Sequence, residues 1–258
     1  DGTKMAVREG TPQGGPLSPI LSNIVLDELD QEVARRGLRF VRYADDANIF
    51  VHSERAGQRV MTSIRQFLEK RMRLQVNEEK SGVRKPDEVH FLGFRFRCKT
   101  EGESDDVAIF PSTKAERRLK TTLRGMTPPS WGRSITSCMD DISRYMTGWM
   151  SHFRLCTPEA AHGLGVIDAH VRRRIRAIIV RQRKRQRFLV RHLKSKGVSH
   201  KAATSCAYSG KGPWVKSNRP AMTRAYPPSW FNRRMASLKA RWTDLNPPQA
   251  SAQLSLEF

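Results

Sequence analysis

Leu26, Leu29 and Val33 recur three or four residues apart between Ile20 and Arg36, the spacing that lines side chains along one stripe of a helix. Ser18 in a capping position, Pro19 in the first turn and Gly37 beyond the stripe mark its ends. The spacing then changes. Leu38-Arg39-Phe40-Val41 and Asn48-Ile49-Phe50-Val51 are short apolar runs that read as the arms of a β-hairpin. Val60, Ile64, Phe67 and Leu68 return to helical spacing, and Leu74-Gln75-Val76 leads into a polar turn, Asn77-Glu78-Glu79-Lys80. Phe91, Leu92, Phe94 and Phe96 form another apolar run, broken by Gly93. Val107 to Phe110 reads as its partner strand across the acidic loop Glu101 to Asp106.

From Thr113 the pattern is helical throughout. Ile135, Met139, Ile142, Met146, Trp149, Met150 and Phe153 predict one long amphipathic helix. Ile175, Ile178, Ile179 and Leu189 predict a second, from Val171 to Lys194, with Arg or Lys over most of its remaining surface. Beyond Gly197, glycines, prolines, aromatics and cations mix, as in Gly210-Lys211-Gly212-Pro213-Trp214 and Pro227-Pro228-Ser229-Trp230-Phe231. Such tryptophans either stack on bases while neighbouring cations meet phosphates, or fill a small core. Asn246 to Phe258 has the composition of a disordered tail.

Composition adds an electrostatic division. Of the net charge of +22, the stretch Gly165 to Leu245 carries +19, with 21 Lys and Arg against Asp168 and Asp244 alone. A basic block beside a nearly neutral one is the footprint of a polyphosphate partner, above all a nucleic acid. Cys98, Cys138, Cys156 and Cys206 are widely separated and form no CxxC pair, so neither a zinc site nor a disulfide framework is indicated. No apolar stretch approaches the roughly 18 residues that span a bilayer, and no signal-peptide pattern opens the chain; the cytoplasm is the expected compartment.

The candidate chemistry sits at the tip of the first hairpin, Tyr43-Ala44-Asp45-Asp46. Adjacent carboxylates repel, and a divalent cation removes that cost. Magnesium suits the pair, because it takes one or two carboxylates and completes its shell with water and phosphate oxygens. With no His or Cys close by in sequence, zinc is disfavoured. Asp45 and Asp46 are equally ordinary turn formers, and four letters alone do not choose between the readings.

Taken in order, four blocks resemble the second half of a bacterial group II intron reverse transcriptase with its maturase region. They are Gly10-Thr11-Pro12-Gln13-Gly14-Gly15-Pro16-Leu17-Ser18-Pro19, Tyr43-Ala44-Asp45-Asp46, Asn77-Glu78-Glu79-Lys80 and Phe91-Leu92-Gly93-Phe94. Downstream, Gly148-Trp149-Met150-Ser151-His152-Phe153 and Arg172-Arg173-Arg174-Ile175-Arg176 are similar to that family's maturase, or thumb, region. The resemblance implies an α+β fold: part of a right-hand polymerase palm over residues 1–112, a helical thumb or maturase domain over 113–196, a basic RNA-binding extension over 197–245, then the tail at 246–258.

It further implies an RNA-directed DNA polymerase in which two Mg2+ ions serve nucleotidyl transfer, with Asp45 and Asp46 as metal ligands and catalytic acids and Lys80 beside the triphosphate. Gln13, Gly14 and Tyr43 would contact nucleotide or template, and Phe91, Leu92 and Gly93 would form the primer grip. Arg172, Arg173, Arg174, Arg176, Arg181, Arg183, Lys184 and Arg185 would bind RNA. The implied partners are group II intron RNA, an RNA template with a DNA primer, and dNTPs, within a bacterial ribonucleoprotein. The family's palm also needs an aspartate on a strand before the glycine-rich loop. Only nine residues precede Gly10; Asp1 and Glu9 among them lie on no apolar run. The expectation is therefore that a missing amino-terminal half carries that motif and the fingers, and that this chain alone does not extend a primer. A non-catalytic maturase-like splicing factor, holding intron RNA through the basic region, is the alternative.

Overall fold

The computed structural model describes residues 17–98, 107–130 and 132–247. They form an α+β structure in two compact units that divide between Lys85 and Pro86.

In the first unit, helix α1 (Ser18–Arg35) is followed by strands β1 (Arg39–Tyr43) and β2 (Asp46–Phe50), then helix α2 (Glu54–Gln66), which a π-turn carries on through Arg71. Gly37, at φ +67, donates its N–H to Ala34 and ends α1 where the sequence pattern places the stop. The core is small. Leu29 and Val33 of α1 meet Ile64 of α2, with Phe40 and Ile49 from the inner face of the hairpin and Leu26, Val60, Phe67 and Leu68 around them. Strands β1 and β2 are antiparallel with Phe40 opposite Ile49 and Tyr43 opposite Asp46, so Arg39, Val41 and Tyr43 share the outer face.

The second unit opens with a three-stranded antiparallel sheet, β3 (His90–Phe91), β4 (Phe94–Cys98) and β5 (Val107–Pro111), in that spatial order. The expected pairing of the runs around Phe94 and Val107 is present, with Phe96 opposite Ile109. Among the described residues, nine helices follow: α3 (Thr113–Gly125), α4 (Ile135–His152), α5 (Ala161–Gln182), α6 (Gln186–Ser195), α7 (His200–Ala207), α8 (Pro213–Lys216), α9 (Pro220–Ala225), α10 (Pro228–Asn232) and α11 (Leu238–Leu245). One core runs through them. Leu119, Met139, Ile142, Met146, Met150, Ile175, Ile179, Leu193, Met222, Phe231 and Leu238 are all fully buried.

Serine recurs as the helix cap. Ser53, Ser112, Ser134, Ser199 and Ser237 each accept a hydrogen bond from the N–H three residues on, which satisfies a donor left open at the start of α2, α3, α4, α7 and α11. The single helix expected from Val171 to Lys194 is in fact two. Helix α5 begins ten residues earlier and stops at Gln182, where Arg183 takes φ −95 and ψ 68 and caps back onto Val180. Beyond the break, Leu189 and Leu193 of α6 are buried in the same core as Ile175 and Ile179.

Residues beyond Gly197, among them Met222, Phe231 and Leu238, contribute to the same core. Trp242 is buried and donates its indole N–H to the Cys156 carbonyl at 2.8 Å, and the Asn246 amide closes α11 onto Arg154. Of the tail expected over 246–258, residues 248–258 lie outside the described residues, as does the acidic loop Glu101 to Asp106.

Candidate catalytic hairpin and nucleic-acid interface

The β1–β2 turn has two residues, Ala44 and Asp45, closed by the Tyr43–Asp46 pair. Ala44 sits at φ +54, a left-handed conformation that costs a non-glycine residue on the order of 1 kcal/mol. A two-residue hairpin loop closed by the Tyr43–Asp46 pair itself asks for a positive φ at its first position, and one side chain reinforces it. Arg42 projects to the inner face, where its Nε lies 2.8 and 3.0 Å from the two carboxylate oxygens of Asp30 on α1. Its Nη1 donates to Asn23 Oδ1 and to the Ala44 carbonyl, both at 2.9 Å. Asn23 and Asp30 are two helical turns apart, so both face the hairpin. The Asp30 carboxylate raises the Arg42 guanidinium above its ordinary pKa by hydrogen bonding.

The clamp fixes a turn that presents Asp45 at its tip and Asp46 at the start of β2, both exposed, with Tyr43 beside them at 62% exposure. Two carboxylates so placed fit a hard divalent ion that keeps much of its water. Among the described residues, no three His, Cys, Asp or Glu come together. Replacing Arg42 by Ala should release the turn, with a loss of about 2 kcal/mol in the first unit. Amide exchange at residues 44–46 reads it, and unchanged protection would show that the turn holds itself.

Lys80 is exposed at the end of the expected polar turn, where its N–H lies 3.2 Å from Asn77 Oδ1. Gln13 and Gly14 lie outside the described residues. Phe91, Leu92 and Gly93 do form a tight hairpin: Leu92 at φ +51 and Gly93 at φ +84 give the two positive angles of a type I′ turn between β3 and β4. The turn is docked on helices. His152 Nε2 meets the Leu92 carbonyl at 3.2 Å, Ser112 N–H donates to the Gly93 carbonyl at 2.7 Å, and the Phe94 ring lies 5.1 Å from that of Phe153. Leu92 itself stays 41% exposed.

The basic residues of α5 and the corner after it separate into two groups. Arg174 turns inward and caps the end of α3, with Nη2 donating to the carbonyls of Thr127 at 2.7 Å and Arg124 at 3.2 Å. Arg176 is 7% exposed and donates to the Ser217 carbonyl; burial, then Arg172 and Arg173, push its pKa down. Arg176 is buried and Arg174 half-buried with its donors spent on backbone carbonyls, a difference in role along one helix that the sequence cannot reveal. Arg183 caps α5 through the Ile179 carbonyl. Arg181, Lys184 and Arg185 are exposed around the α5–α6 corner, and Arg172 and Arg173 are half-buried. Sequence reasoning missed Asn23, Asp30 and Arg42; the seven-residue spacing of the first two is visible in the chain, but it gains meaning only from the packing of α1 against β1.

Comparison with known proteins places these elements. Residues 1–96 match the family described as reverse transcriptase (RNA-dependent DNA polymerase), and residues 116–197 match the maturase-specific domain of group II introns. Protein YkfC of Escherichia coli (strain K12) is 30% identical over 43% of this chain and 39% of its own length, so the match spans about two fifths of that relative. With the acidic hairpin inside the first matched segment and the basic helix α5 inside the second, in that order, the chain belongs to the group II intron reverse transcriptase/maturase family.

Proposed function

We propose that the chain contributes the Asp45–Asp46 hairpin and the RNA-binding helical region to an RNA-directed DNA polymerase that acts with group II intron RNA. The observation that carries this reading is the clamped, strained turn that presents two exposed carboxylates, in a family whose chemistry is phosphoryl transfer. Asp45 and Asp46 would hold Mg2+. The ions, when bound, activate the primer hydroxyl and stabilise the leaving pyrophosphate. Arg42 keeps the carboxylates oriented, Tyr43 flanks the primer end, and Lys80 offers a cation and a proton to the triphosphate. Gln13 and Gly14 lie against the nascent base pair in this reading, and the Phe91-Leu92-Gly93 turn steadies the primer.

Two adjacent acids cannot hold both ions in line with attacking and leaving oxygens, so the described residues alone do not complete the site. The reaction would take a primed RNA template and dNTPs as substrates, with a further acid supplied by residues other than those described. No helix among the described residues is long and apolar enough to cross a membrane. The setting proposed is a bacterial cytoplasmic ribonucleoprotein.

The second reading, a maturase-like splicing factor without catalysis, draws on the +19 charge between Gly165 and Leu245. Both readings require RNA binding through Arg172, Arg181, Lys184 and Arg185. Because neutralised phosphates release counterions, the log of affinity should fall with the log of salt at a slope of about −0.7 per contacted phosphate for single strands. A filter-binding series from low to high salt measures it. Salt-independent affinity would remove the basic surface from both readings.

A further inference from the structure

Residues 200–247 lie beyond both matched segments, and within them the tryptophans take different roles. Trp242 is sealed in the core, and Trp230 packs at its margin against Tyr226 and Phe231. Trp214 differs from both: it is 40% exposed and takes no part in the core. The Arg173 guanidinium lies over its ring, 4.0 Å from the centroid, and Arg173 Nη2 reaches the Trp214 carbonyl at 3.4 Å. His170, one turn earlier on α5, meets the same ring edge-on at 5.7 Å.

The short helix α8 that carries Trp214 is pinned to the chain before it. Lys216 Nζ donates to the Ala207 carbonyl at 2.6 Å, so residues 208–215 are held closed, with Tyr208 at 55% and Val215 at 46% exposure and Lys211 exposed between them. An indole backed by a guanidinium has its orientation fixed before any ligand arrives, with the cation already stacked and no acid paired to it among the described residues. That is the arrangement by which proteins receive an unpaired base: the ring supplies a sequence-tolerant platform and the neighbouring cations take the adjoining phosphates.

We propose that Trp214 is a stacking platform for an unpaired nucleobase, with Arg173 as its backing and Lys211 and Arg172 close to the flanking phosphates. The proposal rests on the RNA-binding reading above and extends it to a segment that neither family match covers. A base enters only if it is free of a partner strand, so the site discriminates single strands, loops and bulges from duplex.

The test uses the whole chain and fluorescein-labelled 12-nucleotide oligomers read by anisotropy: single-stranded RNA, single-stranded DNA of the same sequence, and the RNA duplex. Trp214→Leu should weaken single-stranded RNA about tenfold and duplex less than twofold, while Trp214→Phe, which keeps a ring, retains most of the affinity. The salt slope should not change, because stacking releases no counterions. Equal loss on DNA assigns the platform to the base whatever the sugar; loss on RNA alone assigns it to RNA. Equal loss on single strand and duplex, or none with Trp214→Leu at an unaltered melting temperature, overturns the proposal. Wild-type protein that binds no RNA at all would instead overturn the reading beneath it.

Discussion

Primer extension on a primed RNA template should fall by about 10^3-fold or more when Asp45 is replaced by Asn, assayed in protein that includes every carboxylate of the site. An ion that neutralises developing charge in phosphoryl transfer contributes several kcal/mol, and about 4 kcal/mol corresponds to that factor. Asn is nearly isosteric and is as good a turn former as Asp, and the clamp from Arg42 acts on the Ala44 carbonyl rather than on the Asp45 side chain. The fold of the hairpin should therefore survive, and circular dichroism and the melting temperature should match the wild type. RNA affinity should be unchanged too, since the basic surface is on other elements. Extension at the wild-type rate would remove Asp45 from the chemistry and leave the splicing-factor reading in its place.

The largest effect on stability is expected at Asp168, which sits on α5 among cations yet is only 2% exposed. Its carboxylate accepts from Ser237 Oγ at 2.6 Å and from the N–H groups of Leu238 at 2.9 Å and Lys239 at 3.0 Å, so it seats the first turn of α11 on α5. A carboxylate at a helix start also meets the positive end of the helix dipole. Asp168→Ala orphans two backbone donors and a hydroxyl in the interior and should cost about 3–4 kcal/mol. Asp168→Asn, which keeps one acceptor oxygen, should cost less. Urea denaturation gives the difference directly, and limited proteolysis at residues 237–245 shows whether α11 detaches first. A loss below about 1 kcal/mol for the Ala variant would mean that water replaces the carboxylate without penalty.

How much of this was legible beforehand depended on the range over which each feature is determined. The Gly37 stop, the Tyr43–Asp46 hairpin and the α4 stripe from Ile135 to Phe153 are local, and the spacing of residues carried them. The break at Arg183 is not. Arginines continue across it without a glycine or proline, so the letters carry no stop signal there, and α6 beyond it packs into a core built partly by α9 and α10. The run Arg172 to Arg176 reads as surface because four of its five residues are cationic, yet Arg174 spends its donors on α3 and Arg176 on the chain at Ser217, 41 residues away. Asp168 is separated from its partners by about 70 residues, a pairing that no window of sequence contains. For the candidate site, the two acids were visible as a motif, whereas the clamp beneath them required knowing that α1 lies against β1.

The tight turn at Leu92 and Gly93 has its two carbonyls held by His152 at the end of α4 and by Ser112 at the head of α3. Mechanically it is an appendage of those helices more than of its own short strands. A tilt of α3 or α4 would be passed to Leu92 and Gly93 through these two hydrogen bonds, so the turn and the bundle would travel as one lever.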